Sequence, residues 1–215
     1  MQDHVTDEAI YIRSMATRGH LGGLSLATPQ AIRVLDALGW PWILVETVGV
    51  GQIEVDIAGA TDTTVVVVNP GWGDAIQANK AGLMEIADIF VINKSDRKGA
   101  DDTRRDLQQM LELSSLGEWE PPIVMTVGTD GEGAERLWAT IEEHRTYLQR
   151  TGELVSRRRN RIKVEVSEIL KRSLEAQVQS VLKSPRQAEL QEKLDNGEID
   201  PYVAVDRLLR TDGSD

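Results

Sequence analysis

Four short apolar runs mark the first 130 residues, and each stops abruptly at polar or glycine residues. Trp42-Ile43-Leu44-Val45 runs into Glu46, Thr63-Thr64-Val65-Val66-Val67-Val68 into Asn69-Pro70-Gly71, Ile89-Phe90-Val91-Ile92 into Asn93, and Ile123-Val124-Met125 into Thr126. Runs that are continuous rather than alternating suit strands covered on both faces of a parallel sheet. Segments of helical spacing lie between them, at about 75–87, 101–113 and 133–149, the last with Ala134, Leu137, Trp138, Ile141 and Leu148 on one face. An earlier helix opens at Thr28-Pro29, where a candidate N-cap precedes proline at the first helical position, and it closes at Gly39. This alternation of strands and helices predicts an α/β, doubly wound, mainly parallel sheet.

From about residue 155 the strand signals cease. The basic run Arg157-Arg158-Arg159-Asn160-Arg161 leads into a long helical pattern in which Ile162, Val166, Leu170, Leu174, Val178 and Val181 form an apolar stripe. A shorter helix near 186–195, a turn at Asn196-Gly197 and a last helix from Asp200-Pro201 to about Arg210 complete a helical arm. The predicted organisation is therefore an α/β domain over 1–150 and an arm over 151–215. The apolar stripe has no obvious place in a sheet already covered by its own helices, so burial against a second copy is its most economical use.

A hydrophobic share of 40% over 215 residues is enough for a core of ordinary size. A net charge of −11 argues against a surface built to neutralise nucleic-acid phosphates. The chain contains no cysteine, which removes disulfides, thiolate metal sites and cysteine nucleophiles. The first residues lack a basic-then-apolar leader, and nothing approaches the ~18 uninterrupted apolar residues of a membrane span. A cytoplasmic protein with neither nucleic-acid nor membrane partners is expected.

In doubly wound sheets ligands bind outside the carboxyl ends of the strands, where this sequence concentrates its polar residues. Glu46 ends the first run and Gly49 follows three residues later. In nucleotide triphosphatases an acid so placed orients Mg²⁺, and the glycine lets a backbone N–H approach the γ-phosphate. Gly49 and Gly51 also have G-x-G spacing, yet Glu54 stands where a dinucleotide fingerprint needs its third glycine, which disfavours a Rossmann dehydrogenase. Asn93-Lys94-Ser95-Asp96 follows the third run directly. A carboxylate at Asp96 accepts two hydrogen bonds from the N1–H and N2–H₂ edge of guanine, which adenine does not offer. The Lys94 stem can lie along the base, and Asn93 can brace neighbouring loops. Thr126-Val127-Gly128-Thr129 after the fourth run is the candidate for a loop whose amides meet the guanine O6.

The strings RSMATRGHLGGL (13–24), LVETVGVGQ (44–52), PGWGDAIQANKAGLMEIAD (70–88) and VINKSD (91–96) together resemble the MeaB/ArgK family of methylmalonyl-CoA mutase-associated GTPases. The resemblance implies a P-loop NTPase-like fold of the SIMIBI type that binds GTP and GDP with Mg²⁺ held at Glu46. It also implies a GTP-hydrolysing chaperone that loads and protects an adenosylcobalamin-dependent mutase, and homodimers formed through C-terminal helices. Gly71-Trp72-Gly73-Asp74, with Gln77 and Lys80, resembles a mobile segment by which the family signals to the mutase, and a glycine-rich turn capped by Asp74 is the plainer reading. His20 falls in a loop before the effector side of the site, where a structural histidine is the more common outcome. Two departures stand out. Val127-Gly128 replaces the usual Ser-Ala, and the phosphate-binding string G-x-x-x-x-G-K-S/T does not occur between Met1 and Asp215. That second departure predicts a partial GTPase domain, incomplete at its N-terminus, and opens an alternative: a non-catalytic, dimerising or partner-binding chain with weak nucleotide affinity.

Overall fold

The computed structural model describes residue 7 and residues 9–15, 27–47, 59–72, 80–113 and 117–209. The chain divides into two compact units, Met1–Arg158 and Arg159–Asp215. In chain order the elements are α1 (Ala27–Ala37), β1 (Val65–Val68), α2 (Lys80–Ile86), β2 (Ile89–Asn93), α3 (Ala100–Glu112), β3 (Ile123–Thr126), α4 (Ala134–Thr151), α5 (Glu153–Leu182), α6 (Pro185–Asp195) and α7 (Pro201–Leu209). The three strands pair in parallel in the order β1-β2-β3, with Val68 opposite Ile92 and Asn93 opposite Thr126. All three therefore end at one edge, and their following loops converge there.

Period-2 alternation divides β2 between two cores. Phe90 and Ile92 join Val68, Ala87, Ala100, Leu107 and Met110 on one face. Ile89 and Val91 join Val124 on the other, covered by Leu137 and Ile141 of α4. Residues Ile89, Phe90 and Ile92 are wholly buried, and each contributes roughly 1.5–3 kcal/mol by leaving water. That double coverage is what the unbroken apolar run predicts. β1 departs from it, since Val67 is half exposed.

The run Trp42–Val45 forms no strand in the structure. A strand is defined by a ladder partner, and among the described residues β1 pairs only with β2. Leu44 is instead 82% exposed, while the Trp42 ring packs edge-on against Trp138 of α4 at 4.5 Å, with the Arg145 guanidinium 5.1 Å above it. Hydrophobicity at Trp42 serves a ring contact rather than a sheet.

In the second unit, Ser184 caps α6 by accepting the Gln187 N–H on its hydroxyl, and Pro185 opens the helix. Leu190 of α6 and Ala204 of α7 are buried. None of the described side chains of α5 is buried, and Ile162, Val166, Leu170, Leu174 and Val178 are each at least half exposed.

Candidate functional site

At the carboxyl edge of the sheet the β2 and β3 loops are joined by one side chain. Asn93 Oδ1 accepts the Gly128 N–H at 3.0 Å and the Thr126 hydroxyl at 3.4 Å, and the Ser95 N–H donates to the Thr126 carbonyl at 3.0 Å. The bracing expected of Asn93 is thus seen in these bonds. Lys94, between the two anchored positions, has φ 58, a left-handed backbone that a side chain with a Cβ adopts only when its surroundings hold it there. The consequence is that the Lys94 and Asp96 side chains both project from a braced turn and are exposed. Val127 is buried and its N–H donates to the Glu132 carbonyl at 2.9 Å, so that amide is committed within its loop. Gly128 sits against Asn93, where a Cβ would approach Oδ1 to 3.3 Å. The turn closes on Gly133, with φ 79, where a Cβ would collide with the Met125 carbonyl oxygen.

The other sequence-derived candidates are less fully placed. Glu46 is an exposed carboxylate at the end of the Trp42–Val45 segment. Gly49, His20, Gly73, Asp74 and Gln77 lie outside the described residues. Pro70, Gly71 and Trp72 are described: Trp72 packs on the α3 face of the sheet, and the Gly71 N–H donates to the Thr103 hydroxyl at 3.3 Å. Asn69, at the end of β1, has its Oδ1 buried with no hydrogen-bond partner among the described residues.

A second polar cluster, absent from the sequence reading, occupies the opposite edge of the sheet. Asp88 precedes β2, and its carboxylate accepts the Thr64 N–H at 2.8 Å and both terminal nitrogens of Arg157 at 2.9 and 3.0 Å. The buried His144 places Nε2 3.3 Å from Asp88 Oδ1, an electrostatic approach too poorly aligned to count as a full hydrogen bond, while its Nδ1 lies 2.8 Å from Thr63 Oγ1. Trp119 packs tilted against His144, with ring centroids 4.7 Å apart, and donates its indole N–H to the Asp88 backbone carbonyl. Burial pushes the Asp88 carboxyl up, but the close His144 imidazole, the Arg157 guanidinium and the Thr64 N–H outweigh it and hold the group below its ordinary value. Arg158 meanwhile pairs with Asp62 at 2.6 Å. The first two arginines of the basic run are therefore engaged by acids from distant positions.

Comparison with known proteins supplies independent information. A family model described as Methylmalonyl Co-A mutase-associated GTPase MeaB matches residues 1–183. The chain is 50% identical over 215 residues to a protein of Pyrococcus abyssi whose name is that of a GTPase, covering 98% of this chain and 66% of that protein. It is 32% identical over 210 residues to the mouse protein named Methylmalonic aciduria type A homolog, mitochondrial, covering 95% of this chain and 51% of the mouse protein. It is 34% identical over 161 residues to GTPase ArgK of Escherichia coli, covering 72% of this chain and 48% of ArgK. The chain thus spans between about half and two thirds of the length of these relatives.

Proposed function

We propose that this chain, which belongs to the MeaB family of methylmalonyl-CoA mutase-associated GTPases, carries the base-recognition and state-sensing side of a guanine-nucleotide site, and that the protein it represents is a GTP-hydrolysing chaperone of an adenosylcobalamin-dependent mutase. The observation that carries the base-recognition reading is the Asn93 brace. It fixes two loops at the carboxyl edge of a parallel sheet and leaves the Asp96 carboxylate exposed beside them. A carboxylate so presented fits the paired donors of guanine, the Lys94 stem fits the face of the base, and the exposed Gly128 lies against Asn93 beside them. The Val127 amide is already taken by Glu132, so we assign the O6 contact to this loop through residues other than Val127.

Glu46 is an exposed carboxylate, a hard oxygen donor, and the described residues hold no group of three or more metal-ligating side chains. That fits Mg²⁺, which keeps several waters and takes one or two carboxylates together with phosphate oxygens. When bound, the ion supplies charge neutralisation at the β- and γ-phosphates. Glu46 would orient it, directly or through a water, and Gly49 would bring a backbone N–H to the γ-phosphate. Homodimerisation through the apolar stripe of α5, an arm over 151–215 distinct from a GTPase domain over 1–150, and residence in the cytoplasm complete the proposal. No helix among the described residues is long and apolar enough to cross a membrane.

The test is association with a purified methylmalonyl-CoA mutase. A polypeptide covering the full length of the relatives should bind the mutase in light scattering with an affinity that differs between GDP and a non-hydrolysable GTP analogue. Equal affinity in both nucleotide states, or no complex at all, would remove the chaperone assignment.

A further inference from the structure

Between Val127 and Glu132 all backbone N–H groups but one are spent within the protein. Val127 donates to the Glu132 carbonyl at 2.9 Å and Gly128 to Asn93 Oδ1 at 3.0 Å. Asp130 and Gly131 both donate to the Val127 carbonyl, at 3.4 and 3.0 Å, and Glu132 donates to the Asp130 carboxylate at 3.0 Å. Thr129 is the exception. It is exposed, and its N–H meets no acceptor among the described residues. Its neighbours on both sides are held, Gly128 by Asn93 and Asp130 by Val127, so this donor stands on a backbone that is already fixed. Gly133, past the end of the run, is half-buried and packed against the Met125 carbonyl. The Asn93 bond also ties this loop to the turn that carries Asp96.

We propose that the Thr129 backbone N–H is the donor that meets the guanine O6. This deepens the reading of Asp96 as the residue that takes the N1–H and N2–H₂ edge, and rests on it. The O6 oxygen is bonded to the carbon next to N1, so a base held by Asp96 brings that oxygen toward the loop bonded to Asn93, where it needs a donor. A backbone N–H has one proton to give. Val127 and Gly128 would each have to break a bond within these loops to supply it, whereas Thr129 gives up only solvent. Adenine carries an amino group at the same ring position, and an N–H facing it leaves two donors opposed. A backbone amide, unlike a side-chain amide, cannot turn over to offer an oxygen instead, so the discrimination is built into the chain.

The experiment is two-dimensional proton–nitrogen NMR of a polypeptide spanning the full family length, labelled at threonine and glycine, with GDP and with 6-thio-GDP, whose sulfur replaces O6 and is the weaker acceptor. Thr129→Ala identifies the Thr129 resonance by its loss, and it keeps the backbone N–H while removing the hydroxyl. The Thr129 amide proton should move downfield with GDP and clearly less with 6-thio-GDP, which should bind at least about threefold more weakly, while the Gly128 resonance stays the same in both complexes. Thr129→Ala should bind GDP as the natural protein does. A Gly128 resonance that distinguishes the two nucleotides in place of Thr129 would overturn the assignment, as would a Thr129 resonance that GDP leaves unmoved. A loss of GDP affinity in Thr129→Ala would also overturn it, by placing the contact on the side chain. Asp96→Asn, titrated in parallel, separates the two readings. If it weakens GDP binding while Thr129 stays silent, the base site stands and the Thr129 contact falls. If GDP affinity is unchanged, the base site falls and the Thr129 contact with it.

Discussion

Lys94 and Gly133 show how the candidate site is held at the level of single residues. A left-handed backbone at a residue with a Cβ costs roughly 1–2 kcal/mol, and at Lys94 that cost is met by the bonds of Asn93 and Ser95 on either side. At Gly133 no Cβ is tolerated, because the Met125 carbonyl fills its place. Gly133→Ala should therefore destabilise the first unit by more than about 2 kcal/mol in urea denaturation, and a change within experimental error would show that the turn can shift. Asp88 is the corresponding residue at the far edge. Its side chain is 10% exposed, and removing its charge leaves the 36% exposed Arg157 with only the Asp62 carbonyl and Glu153 as partners, so Asp88→Asn should cost about 1–3 kcal/mol. The sign with pH follows from its lowered carboxyl. The stabilisation is present in full above the ordinary value of 3.8 and is lost as pH falls from there through the lower folded value. Denaturation midpoints should thus fall more steeply below about pH 4 for the natural protein than for Asp88→Asn, and parallel curves would remove Asp88 from the account.

Among the elements, α5 is the one whose pattern and surroundings disagree. Its stripe has the spacing of a buried face, yet Ile162, Val166, Leu170, Leu174 and Val178 remain half exposed or more. Covering the remaining area of such side chains contributes on the order of 1 kcal/mol each, enough in sum to favour self-association. The natural protein should be a dimer by light scattering, and Leu170→Asp with Leu174→Asp should make it monomeric without loss of helical circular dichroism. A natural protein that stays monomeric at high concentration would contradict the proposal. The α6 cap is a more local matter: Ser184→Ala should cost about 1 kcal/mol, read as a lower thermal midpoint of the second unit.

Across the whole molecule, what the sequence made legible was whatever is local. β2 and β3 were readable because a continuous apolar run meets a polar stop, and the same stops named Asn93 and Thr126 as neighbours at one sheet edge. The Asn93–Gly128 bond follows from parallel register once both strands are placed. Trp42–Val45 misled because an apolar run does not reveal whether a ladder partner lies beside it, and here the tryptophan packs on α4 instead. The Asp88 cluster was illegible for a different reason: its partners come from 24 and 69 residues away, and no spacing rule joins Thr64 or Arg157 to an acid before a strand. The account as a whole depends on guanine recognition by Asp96, and isothermal titration of GDP and XDP into a polypeptide spanning the full family length tests it most directly. The natural protein should prefer GDP. Asp96→Asn, which presents an amide N–H₂ to one guanine donor and to the xanthine oxygen in its place, should lose at least tenfold in GDP affinity and gain in XDP affinity. Unchanged GDP affinity in that variant would contradict the account.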